Sequence, residues 1–219
     1  MENWNLIQLP VEEIYGRLDI AFTPFFKESI ESFKDKGYKK ILDIGCGHGK
    51  NSIYLAENNF HVTSVDINVQ ALEWFERYIK NKSINNIELI KADMNSLPFR
   101  DNYFDAVICT SVLHHQNLEQ IKNTVSEIYR VLKYKGCLLF DFMSIEDYSF
   151  GIGEEIEKNT FIGSREGEEN IPHHYTDADE LKELFKNFMG LEINKNEYEI
   201  IINSDNSIKS RVFDGLVYK

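Results

Sequence analysis

From Tyr38 onward, short apolar runs alternate with segments in which apolar residues return every three or four positions. The runs lie at residues 40–44, 61–65, 87–90, 104–109 and 137–142, and each reads as a strand. Between them, Val69, Leu72, Phe75 and Ile79 mark one face of a helix, as do Leu118, Ile121, Val125, Ile128 and Leu132. Strands alternating with amphipathic helices predict an α/β domain with a mostly parallel sheet and helices on both faces.

Two regions depart from that alternation. Residues 1–37 read as a helical cap in which Thr23 caps a helix, Pro24 occupies its first turn, and Phe22, Phe26, Ile30 and Phe33 share one face. Residues 143–175 are irregular and acidic, hold four glycines, and leave the end of the fifth strand, so they are expected to fold over the crevice as a lid. The remainder, 176–219, predicts a helix over 177–188, with Thr176 and Asp179 at capping spacing and Leu181, Leu184, Phe185 and Phe188 as its apolar face. Strands are then expected at 191–193, 198–202 and 212–218, with a turn at 203–206 that folds an antiparallel hairpin against the sheet edge. The division is thus one domain, 1–219, with a ligand-binding core at 38–142.

Composition narrows the class. The chain has 219 residues, 42% of them apolar, enough for a single core without disulfides or metals. Three cysteines, Cys46, Cys109 and Cys137, form no Cys-x-x-Cys pair, which argues against zinc ribbons and disulfide scaffolds and predicts a reducing, cytoplasmic setting. No apolar run has the length of a membrane span, and the first residues lack the basic stretch of a signal peptide. The net charge is −12, and residues 146–183 alone hold twelve acidic and three basic residues. Nucleic acid is therefore not an expected partner, and an acidic lid tilts the choice of substrate toward neutral or cationic small molecules.

The chemistry concentrates in Ile41-Leu42-Asp43-Ile44-Gly45-Cys46-Gly47-His48-Gly49-Lys50, an apolar strand running into three alternate glycines before a helix. Such a turn lets backbone approach a bound nucleotide. The third glycine comes one residue earlier than in the G-x-G-x-x-G of dinucleotide enzymes, which weighs against an NAD-dependent oxidoreductase. Asp66 ends the second strand 21 residues after Gly45, where a carboxylate can accept both ribose hydroxyls. Ala92-Asp93-Met94 follows the third strand, with an acid placed for an adenine amino group.

Together with FDAVICTSVLHH at the fourth strand and YRVLKYKGCLLF before the fifth, these motifs resemble the class I S-adenosylmethionine-dependent methyltransferases over residues 38 to about 142. The nearest likeness is to small-molecule enzymes of the ubiquinone-biosynthesis and tellurite-resistance type. The resemblance implies a seven-stranded, Rossmann-like sheet and S-adenosyl-L-methionine as cofactor. It implies that Asp43, Gly45, Cys46 and Gly47 line the amino-acid end of the cofactor, Asp43 acting through water or the ammonium group. Asp66 would take the ribose and Ile67 would pack on adenine. Asp93 and Met94 would hold the other adenine edge, and Thr110 would lie near the methionine portion. Tyr15 or Arg17 would close over the site.

The acceptor is expected to be a small molecule methylated by in-line displacement. A hydroxyl or protonated amine needs a base, and His114 and His174 are the candidates. His173 and His174 also read plainly as surface histidines of a solvated loop. With Glu168 and Glu169 nearby they suggest a metal, but adjacent ligands point apart and no third spaced ligand is evident, so no metal site is assigned. A protein that binds S-adenosylmethionine without turnover is the alternative reading. The acceptor and the oligomeric state have no signature in the sequence.

Overall fold

The computed structural model describes residues 22–165, 168–203 and 206–219. Tyr15 and Arg17 lie outside them. The first described helix, α1 (Pro24–Asp35), starts as expected: the Thr23 hydroxyl oxygen accepts the Phe26 N–H at 3.1 Å, and Pro24 sits where no N–H is needed. Its Phe26, Ile30 and Phe33 are buried, and each contributes on the order of 2 kcal/mol by leaving water.

Strands β1 (Lys40–Ile44), β2 (His61–Asp66), β3 (Ile87–Lys91), β4 (Phe104–Cys109) and β5 (Leu132–Met143) are parallel. Helices α2 (Lys50–Glu57), α3 (Val69–Asn81) and α4 (Leu118–Val131) connect them. The sheet order is β3-β2-β1-β4-β5-β10-β9, in which β9 (Met189–Asn203) and β10 (Asn206–Tyr218) are the last two strands of the chain. Alternate residues of the central strands enter opposite cores. Leu42, Val107, Leu138 and Phe140 meet Ile121, Val125 and Ile128 of α4, whereas Ile41, Ala106, Ile108 and Leu139 meet α1 and α2. Burial of both faces is why these strands read as apolar runs and not as alternating patterns.

Four expectations change. First, β5 starts at Leu132, because residues ahead of Cys137 pair with the C-terminus through Lys135 N–H to Lys219 C=O and Lys219 N–H to Gly136 C=O, both 2.8 Å. Second, the strands expected at 191–193 and 198–202 are one strand, β9 (Met189–Asn203), paired along its length with β10 (Asn206–Tyr218). Polar Asn194–Glu197 does not interrupt it, since β9 is an edge strand with solvent beside it. Third, the next helix, α5 (Ala178–Leu184), is shorter than 177–188 and is capped by Asp177, whose carboxylate accepts the Asp179 and Glu180 N–H groups at 3.0 and 2.9 Å.

Fourth, the acidic segment is a small antiparallel sheet of β6 (Glu154–Glu157), β7 (Thr160–Ile162) and β8 (Pro172–His174). Strands of three and four residues are too short to show a period. Their attachment is tertiary: Asp147, buried, accepts the Ser149 hydroxyl, the Ser210 hydroxyl at 2.8 Å, the Arg211 N–H at 2.7 Å and the Arg165 guanidinium at 3.2 Å. The His174 N–H also donates to His114 C=O at 2.8 Å, which ties β8 to the loop after β4.

Candidate active site

Because β1 to β5 are parallel, their C-terminal ends share one edge of the sheet, and the order reverses between β1 and β4. A crevice is expected at such a reversal. Two cavities of about 370 and 380 Å³ open there, and Ser111 and His115 line both.

The first cavity takes up the sequence-predicted cofactor residues Gly45, Gly47, Asp66, Ile67, Asp93 and Met94. Gly47 has φ +51°, and a Cβ there would meet nothing within 4 Å, so a left-handed backbone facing open space is what this position requires. The Asp66 carboxylate accepts the Gly47 N–H at 2.7 Å and the Asn68 N–H at 2.8 Å, which fixes its orientation and leaves lone pairs for ribose hydroxyls. The Asp93 Oδ1 accepts the Asn95 N–H at 2.8 Å, and Asn95 is held in turn by Gln116 at 2.9 Å. Ile67 is 40% exposed and lines the cavity, an apolar surface on which a planar base can pack.

Three predicted residues sit elsewhere. The Cys46 side chain packs with Ile53, Leu72, Phe75 and Ile79, so only its backbone belongs to the loop. Thr110 lines the second cavity, where it accepts a hydrogen bond from the Asn51 amide at 2.9 Å. Asp43 is fully buried: Ser52 donates to its Oδ2 at 2.5 Å, and its Oδ1 has no partner. Burial pushes its pKa up to about 7. A buried carboxylate oxygen without a donor fits a cationic or water-bridged ligand group, and together with the glycine cradle it matches the donor set that S-adenosylmethionine needs.

The second cavity mixes apolar walls (Phe22, Phe25, Phe26, Leu139, Phe140, Met143) with Lys50, Asp141, Arg165, Glu168 and Asp214. Its charges are therefore mixed. The strongly acidic β6 is exposed, and none of its residues lines the cavity. Asp141 is a residue the sequence reading missed. Its carboxylate accepts the Ser111 N–H at 2.6 Å, and burial, with the charge of Asp214 added, pushes its pKa up to about 7. A lone acid in Leu138-Leu139-Phe140-Asp141-Phe142 was the available signal, the same one that marks Asp43.

The histidines separate. His114 lines the second cavity with an unpartnered, buried Nδ1, and burial holds its pKa well below the ordinary range. His174 lines neither cavity: Nδ1 lies 2.7 Å from the Thr160 hydroxyl and Nε2 3.3 Å from Glu180, so it is a buried structural residue and not a base at the site. His173 is also fully buried, which overturns the reading of a solvated loop. Among the described residues, no helix is long and apolar enough to cross a membrane.

Residues 41–136 match a family described as a methyltransferase domain. YqeM of Bacillus subtilis, named as a methyltransferase, is 35% identical over 152 residues, which is 68% of this chain and 58% of YqeM. TehB of Haemophilus influenzae, named as an S-adenosyl-L-methionine-dependent methyltransferase, is 28% identical over 169 residues, 76% of this chain and 52% of TehB. The chain thus spans about half the length of the curated relatives it matches. In fold, it is similar to a SAM-dependent methyltransferase from Methanosarcina mazei, with a TM-score of 0.71 at 24% identity over 91% of this chain and 99% of that one. The seven-strand topology, the cradle at the β1 end and these likenesses agree: residues 41–136 match a methyltransferase domain, on a fold shared with solved SAM-dependent methyltransferases.

Proposed function

We propose that the protein methylates a small-molecule acceptor bound in the second cavity, with the cofactor held in the first. The carrying observation is that Ser111 and His115 line both cavities, which sets the two spaces side by side at the ends of the parallel strands. When bound, S-adenosylmethionine supplies a methyl group already activated on a sulfonium. The protein's part is then alignment and exclusion of water, which can supply up to about 7–11 kcal/mol. Asp66 and Asp93 orient the nucleoside end and Asp43 the amino-acid end. Phe22, Phe25 and Phe26 keep the acceptor side dry. Asp141 is placed to accept a proton from the acceptor at its carboxylate, with a pKa near working pH.

Thermal unfolding with S-adenosylmethionine, S-adenosylhomocysteine and NAD in parallel tests the cofactor half. An adenosyl ligand at 100 times its Kd adds about 2.7 kcal/mol, or roughly 5–11 °C for a chain of this size, and Asp66→Ala abolishes the shift. A shift with NAD alone overturns the reading. A screen of small acceptors for S-adenosylhomocysteine release tests turnover, and binding without release from any acceptor favours a non-catalytic role.

A further inference from the structure

A side chain from the loop after β4 and two from the small-sheet segment, about 50 residues later, converge where the small sheet meets the crevice. The ligand atoms of His115, from the loop after β4, and of Glu168 and His173, from the small-sheet segment, all lie within 4.8 Å of one another. Sequence spacing hid this set because its third member comes from another part of the chain. His173 and His174 do point apart, as adjacent residues of a strand must, and only His173 joins the cluster.

The contacts of His173 are those of a ligand imidazole. Its Nδ1 lies 3.0 Å from the carbonyl oxygen of Ile171, which can only accept, so Nδ1 carries a proton and, in the neutral ring, Nε2 holds the lone pair. That lone pair faces the Glu168 carboxylate at 2.8 Å. Two electron-rich atoms at that distance need a cation between them, either a proton or a metal. A proton accounts for the His173–Glu168 pair alone. A metal can also take the His115 ring nitrogen, which lies within the same cluster, the His115 ring standing edge-on to His173 with centroids 4.9 Å apart. An Nδ1–H bound to a backbone carbonyl is the usual support of a metal-bound histidine.

We propose that His115, Glu168 and His173 bind one divalent transition-metal ion of the zinc or iron class, with its remaining coordination positions turned to the acceptor cavity. Two imidazoles and a carboxylate suit such an ion and leave positions open for an exogenous ligand. His115 and Glu168 both line the second cavity, so those positions face the space assigned to the acceptor. Closing the set to the ligand spacing of a tetrahedral site takes side-chain movement on the order of 1 Å. The acceptor class follows, and this step rests on the function proposed above: a small molecule with an oxygen, sulfur or nitrogen lone pair that ligates the metal before it is methylated. His114 lines the same cavity and gives the bound acceptor a polar neighbour.

The test is zinc titration of the full chain, stripped with a chelator, against a chromophoric competitor. Visible cobalt(II) spectra provide a second readout. One zinc per chain is expected, at least 100-fold weaker in Glu168→Gln and in His173→Ala, while both variants keep the S-adenosylhomocysteine thermal shift that reports folding. Cobalt bands that change when a lone-pair acceptor is added support the acceptor assignment. Zinc binding that is absent, or unaltered by either substitution, overturns the metal site and leaves the His173–Glu168 pair as a protonated ion pair. That result leaves the methyltransferase reading intact if the adenosyl ligands still bind. Zinc bound without any adenosyl shift keeps the metal site and removes its acceptor role.

Discussion

Asp43→Asn isolates the cost of keeping an acid in the core. The Asp43 carboxyl is fully buried, accepts from Ser52, has a second oxygen without a donor, and titrates near 7 instead of 3.8. With the folded pKa above the unfolded one, the folded state binds the proton more tightly. Stability from this group is therefore fully present at low pH and is lost as pH rises from about 4 through 7. Each pKa unit is about 1.4 kcal/mol, so wild type loses about 4 kcal/mol relative to Asp43→Asn between pH 4 and pH 8. Urea unfolding of both proteins at several pH values, without ligand, reads this as a difference that grows with pH. Saturating S-adenosylhomocysteine reduces the difference, because a ligand ammonium or its bridging water compensates the buried charge in wild type only. A stability difference that stays flat from pH 4 to 8 would refute the reasoning: the carboxyl would then be solvated in the folded state.

Gly49→Ala is expected to destabilise by about 3 kcal/mol, or roughly 6–12 °C in Tm, since the backbone there has φ +87° and a Cβ would lie 2.2 Å from the Phe75 ring. A loss under 1 kcal/mol in thermal unfolding would show that the loop and α3 move apart freely. With an acceptor returned by the screen, wild-type activity rises through about pH 7 as Asp141 ionises, and Asp141→Asn lowers kcat by about 100-fold and removes that rise. An unchanged pH profile would mean that the acceptor needs no base.

Much of the core was readable because its signals are local. The β1 and β4 bounds follow from runs that must be apolar on both faces. The α1 start follows from Thr23 and Pro24, whose capping chemistry involves only the next three residues. The cofactor cradle belongs to this class too, since Gly47, Asp66 and Asp93 sit at strand ends that a parallel sheet is bound to bring to one edge.

What the sequence by itself determined is therefore the α/β class and the strand-end residues that line the first cavity. What only the tertiary structure decided is the acceptor side. The fate of the acidic segment depended on Asp147, whose donors Ser210 and Arg211 lie over 60 residues away. The separation of His173 from His174 depended on which face of a three-residue strand met the domain. The meeting of His115 with Glu168 and His173 depended on docking of that strand. Periodicity and spacing report neighbours along the chain, whereas these contacts arise from packing between segments that share no local pattern.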